Sequence, residues 1–126
     1  MTPDEFPRAF ATAFGAQDAA ALAALMTETG SLASLTGQWA EGPAAARTAL
    51  EAEFGGTFAR ARLVSGKGTL SLPAPGVALL RQRFVVTGAM DETGAELPRF
   101  GAMLVVVLTG SAADWRAESL TFSALG

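Results

Sequence analysis

At 126 residues, half of them hydrophobic, the chain suits one folded domain spanning 1–126, able to bury roughly two thirds of the surface its unfolded form exposes. Nine Lys and Arg scattered among twelve Asp and Glu give a formal charge of −3 and no cationic cluster for nucleic acid. With no Cys, His or Tyr, the chain lacks a thiolate, the commonest metal ligand, the usual base near neutral pH and any phenol donor, which excludes most familiar catalytic constellations.

The opening Thr2, Pro3 and Glu5 read as a capping-box helix start with proline at the first helical position. Phe6, Ala9, Phe10, Ala13 and Phe14 then recur at helical spacing as one apolar stripe, and Gly15 ends the helix. Pro7 falls early enough to remove little more than one hydrogen bond. Asp18 is placed to cap a second helix, "DAAALAALMTE" (18–28), whose Ala and Leu content favours helix, with Gly30 as its stop. "SLASL" (31–35) reads as a short strand and "TGQWAEG" (36–42) as a turn or edge strand. Gly42-Pro43 opens a third helix over 43–54, closed by Gly55-Gly56.

Beyond residue 58 the period changes from helical to alternating. Residues 59–72 give a strand or two short ones, and "PAPG" (73–76) a turn. Strands follow over 77–90, 99–109 and 115–124, separated by "DETG" (91–94) and "GSAAD" (110–114) turns. Helices followed by an antiparallel meander mean α+β, with three N-terminal helices packed on a mostly antiparallel sheet. The first ten residues lack a basic region followed by an apolar one, and no apolar run approaches ~18 residues. The expectation is a cytoplasmic protein with no signal peptide and no membrane span.

The sheet needs two covers. Ala78, Leu80, Gln82, Phe84 and Val86 alternate with Val77, Leu79, Arg81, Arg83 and Val85, and the strand after Arg99 is apolar on both sides. Helices cover one face. A second copy of the chain, packed sheet to sheet, is the simplest cover for the other, so a homodimer through the sheet is expected.

The order of these motifs carries a resemblance. The stretch from Ala9 to Phe58 runs through the stripe "AFATAFG", Asp-Ala-Ala-Ala-Leu-Ala-Ala-Leu, a Thr-Glu step, a strand, Gly-x-x-x-x-Gly and a third helix. Together with the Trp-Arg of the final hairpin, it resembles a small bacterial SnoaL-like member of the NTF2-like superfamily. The resemblance implies a strongly curved sheet wrapped by helices into a cone, an apolar pocket inside, and dimerisation through the sheet. Enzymes of that superfamily include ketosteroid isomerase, scytalone dehydratase, limonene epoxide hydrolase and polyketide cyclases.

Their chemistry does not carry over residue by residue. Thr29 stands where relatives commonly have a pocket-entrance Asp, and no Tyr or His exists to serve isomerase or dehydratase chemistry. The four Asp (Asp4, Asp18, Asp91, Asp114) fall at helix starts and turns, a poor basis for an Asp–Arg–Asp centre. Glu28 is the one weak catalytic candidate, its alternative being a solvated helix-end acid; Glu41 reads as a turn residue. Gln38 and Trp39 could orient a ligand, and Phe10, Phe84, Arg99 and Thr121 complete the expected pocket lining. Arg60, Arg62, Arg81 and Arg83 form two Arg-x-Arg pairs, read as an anion site, as part of a dimer face, or as a solvated face with apolar stems. No cofactor and no metal are expected, the carboxylates being too dispersed. Three readings stay open, in this order: a binder of a small apolar molecule in the cavity between helices and sheet; an isomerase, cyclase or dehydratase on a polyketide- or steroid-like substrate; and a dimerisation module whose cavity is closed by Phe6, Phe10, Phe54 and Phe84.

Overall fold

The computed structural model describes residues 1–126. Thr2 accepts the capping role expected of it: its backbone N–H donates to Glu5 Oε1 at 2.9 Å over a short 3-10 turn, Pro3–Glu5. Helix α1 (Phe6–Gly15) follows directly and buries Phe6, Phe10, Ala13 and Phe14, the stripe read from the sequence. Asp18 Oδ1 accepts from the Ala21 N–H at 2.9 Å and opens α2 (Ala19–Ala23). Helix α3 (Pro43–Phe54) starts after Gly42, whose φ of +85° suits glycine and lets the chain turn into the helix.

Helix α2 is shorter than expected. Residues Met26–Ala33 form strand β1, which takes over the segment 26–28 assigned to helix by its composition. Helix propensity is a weak bias, and here a strand partner outweighs it: Met26 pairs with Ala117 in a parallel ladder that continues through Ser31, Leu32 and Ala33. Gly30 is therefore no helix stop. It sits inside β1, where a Cβ would come within 2.6 Å of the Ala117 carbonyl oxygen.

The remaining strands are β2 (Trp39–Glu41), β3 (Arg62–Ala74), β4 (Val77–Thr87), β5 (Phe100–Ser111) and β6 (Asp114–Ala124). They form one six-stranded sheet in the order β2-β1-β6-β5-β4-β3, antiparallel except for β1–β6. The meander β3–β6 matches the sequence reading. The three helices cover one face, and there the alternate residues of the central strands are buried: Ala78, Leu80, Phe84 and Val86 of β4, Ala102, Leu104, Val106 and Leu108 of β5, Ala117, Leu120 and Phe122 of β6. No helix is long and apolar enough to cross a membrane.

Candidate functional site

Seven of the eight phenylalanines are buried between helices and sheet. Phe10 of α1 has its ring centroid 6.0 Å from Phe84 of β4 and 5.1 Å from Phe122 of β6, the latter edge to face. Phe14 meets Phe54 at 5.2 Å and Phe58 at 5.6 Å. These are ordinary separations for favourable aromatic pairs. The space in which the sequence reading expects a pocket is occupied by rings.

Strand pairing fixes what shares each face. On the outer face, away from the helices, one row runs Trp39, Ala33, Thr121, Val105, Arg81, Thr69 from β2 to β3. The next row runs Glu41, Ser31, Ser119, Val107, Leu79, Ser71. The six residues expected to line one pocket therefore do not converge. Phe10 and Phe84 are inside the core, Trp39 and Thr121 belong to the outer face, and the sheet's backbone lies between them. Gln38 is exposed in the turn before β2, and Arg99 is exposed just before β5. The two Arg-x-Arg pairs do not meet either, because Arg62 pairs with Thr87 while Arg81 pairs with Thr69.

Glu28 is exposed on β1, beside an open polar hollow shared with Thr27, Thr109, Asp114 and Arg116. The acid that the sequence reading passed over is Glu53, only 5% exposed near the end of α3. Its Oε2 accepts the Thr36 hydroxyl at 2.6 Å, while Ser34 Oγ accepts the Gln38 N–H at 3.1 Å, so the β1–β2 turn is tied to α3. A signal existed: Ala46, Leu50, Glu53 and Phe54 follow i, i+4, i+7, i+8 spacing and share one buried face. Gln82 shares one side of β4 with Leu80 and Phe84, as the alternation implied; that side is buried, and the Gln82 amide donates to Gly66 O at 2.9 Å and Arg83 O at 3.0 Å. No group of three or more Asp, Glu, His or Cys side chains stands close enough together to hold a metal ion.

Two surface features remain. An open groove of about 760 Å³ runs along the exposed flank of α1 and α2, lined by residues including Arg8, Ala9, Thr12, Ala21 and Leu25. The larger feature is the outer sheet face. Met103, Val105 and Val107 of β5 and Leu79 and Val85 of β4 are half-buried there with no helix over them, and Trp39 at the β2 edge is 69% exposed.

With this geometry in place, solved structures identify the architecture. A protein with a cystatin-like fold from Caulobacter vibrioides superposes with a TM-score of 0.85 at 18% identity, covering 98% of this chain and 87% of its own. An NTF2-like protein with a cystatin-like fold from Novosphingobium aromaticivorans gives a TM-score of 0.75 at 21% identity, covering 97% and 78%. ActVI-ORFA from Streptomyces coelicolor gives 0.77 at 19% identity, covering 95% and 92%. The chain has the cystatin-like, NTF2-like fold that the sequence resemblance implied. Neither a family model nor a curated protein matches the sequence.

Proposed function

We propose that this domain is a dimerisation module, and that two copies pack through the outer faces of their sheets. The observation that carries this reading is the contrast between the two faces. The inner face is closed by aromatic rings, whereas the outer face presents an apolar stripe of Leu79, Met103, Val105 and Val107 to solvent. Contiguous apolar area of this kind marks an interaction surface. The six strands, 3 to 13 residues long at ~3.3 Å per residue and spaced ~4.8 Å apart, present a face of roughly 900 Å², close to the ~800 Å² per partner that a stable interface buries.

Sedimentation velocity at micromolar concentration tests it. The expected result is a dimer that Val105→Glu or Val107→Glu converts to folded monomer, with unchanged far-UV circular dichroism. A wild-type chain that stays monomeric at tens of micromolar overturns the reading.

A second reading keeps a specific support. The groove beside α1 and α2 has the volume of a small-molecule site and an Ala- and Leu-containing floor. If it holds an apolar ligand, native mass spectrometry of gently purified protein shows a reproducible extra few hundred daltons that Ala9→Trp removes. An unchanged adduct in that variant excludes the groove.

A further inference from the structure

One of the two Arg-x-Arg pairs acquires a third cation that its own strand does not supply. Arg81 and Arg83 alternate along β4, so both stand on the outer face, in the rows of Val105 and Met103. Beside them β3 slips: Ser65 pairs with Phe84 and Gly68 with Gln82, so Gly66 and Lys67 together face the single residue Arg83. A bulge of this kind re-aims a side chain. Here it brings Lys67 to the two arginines around a shallow hollow that Thr69 and Met103 complete. Gly66 keeps the place open, since a Cβ there would press on Arg83, 3.3 Å from its carbonyl oxygen.

Three of the nine cations of a chain with net charge −3, its only lysine among them, therefore meet at one hollow. None of the three is in an ion pair; the pairs in the molecule are Arg47–Glu51 and Arg116–Asp114. Like charges on neighbouring sheet positions repel, and a bound anion relieves that repulsion. The walls of the hollow select the kind of anion. They are almost wholly carbon, formed by the stems of the arginines and the lysine together with the Met103 side chain. A bare phosphate gains nothing from such walls, whereas an aromatic ring stacks on guanidinium groups and packs well against a thioether. The volume, about 180 Å³, is below that of a pocket for a drug-sized ligand and suits a single small ring.

We propose that this hollow binds a small aromatic carboxylate, the ring lying on the carbon walls and the carboxylate held among Arg81, Arg83 and Lys67. Each guanidinium offers paired N–H donors that match the two carboxylate oxygens, and the Thr69 hydroxyl adds a donor at the rim. All five lining residues belong to one chain, so the site goes beyond the pairing proposed above and does not depend on it.

Benzoate is the probe, titrated at low salt and followed by NMR. The expected result is saturable binding with Kd on the order of 1 mM, weakened by added salt, with the largest shifts at the Met103 methyl and the Lys67 and Arg83 amides. Arg81→Gln and Arg83→Gln are each expected to raise Kd about ten-fold. Both side chains are exposed, so their loss leaves the fold intact. Arg47→Gln removes the same charge from α3, on the other side of the sheet, and leaves Kd unchanged. Benzamide, neutral and of the same shape, is expected not to bind. Equal binding of benzamide, an equal loss in Arg47→Gln, or the absence of any saturable shift overturns the proposal. Inorganic phosphate binding as tightly as benzoate overturns the aromatic assignment. Sedimentation of the same samples reads the pairing separately, so a failed site leaves the dimer standing and a monomeric chain leaves the site standing.

Discussion

Gln82 spans a defect that its own strand does not contain. The β3–β4 pairing slips between Ser65 and Gly68, and the Gln82 amide fills the slip by donating to the Gly66 carbonyl. Gly68 leaves the room for this, since a Cβ there would overlap the amide. Gly68→Ala is expected to expel the side chain and cost about 1–3 kcal/mol, read as a lower urea midpoint. Glu53 is a comparable fixture: Glu53→Ala leaves Thr36 without its acceptor and costs about 1–3 kcal/mol, with Glu53→Gln less damaging because its amide oxygen still accepts. Asp91 gives the pH signature. The Thr93 hydroxyl first, then the Ala95 and Thr93 N–H groups, hold its carboxyl below the ordinary carboxylate range. A depressed folded pKa contributes in full above the ordinary value and is lost as pH falls through the lower folded one. Acid titration by NMR should therefore shift the Thr93 and Ala95 amides together at a pH below the ordinary Asp range; Asp91→Asn should abolish that step. None of these three roles was legible in the sequence beyond the side of β4 that Gln82 shares with Phe84, because each depends on a partner 16 or more residues away or on a turn's local closure.

At the level of elements, the sequence was most informative where a local rule meets no competitor. Helix α3 begins at Pro43 and ends before Gly55-Gly56 as its punctuation implies, and β4 follows its alternation residue for residue. The segment 26–28 misled because the Ala and Leu run leading into it speaks only of the helix, whereas its strand state depends on β6, some ninety residues on. Gly30 is the test of that pairing. Gly30→Ala should drive the Ala117 carbonyl away, loosen the β1–β6 ladder and lower stability by about 1–3 kcal/mol, with hydrogen-exchange protection lost first in β1 and β2.

For the whole molecule, the fold was legible and the candidate site mostly was not. Alternation marked both faces of β4 and β5 correctly, but it gave no measure of whether the ring-rich interior was lined or filled. That depends on how Phe10, Phe14, Phe84 and Phe122 interlock, which no spacing rule contains. Phe122→Ala should cost about 3–5 kcal/mol and open an apolar void that small aromatic molecules stabilise in a thermal-shift assay. Trp39 and Thr121 were assigned to the same pocket as Phe10, and they lie instead on the outer face, because one-dimensional alternation does not say which side a distant edge strand presents.

Strand β3 has one further consequence. It runs thirteen residues, is the outermost strand on its side, and keeps one row of backbone N–H and C=O groups free. A long free edge invites the next chain to add on, strand by strand, without limit. Here the slip at Gly66 and Lys67, the cation at the slip and Pro73 near the end interrupt it, and the opposite edge is only three residues long. A pair formed through faces uses the same surface on both copies and is saturated at two. Growth into fibres has no template on either flank, and removing Lys67 and Pro73 together is the change most apt to supply one.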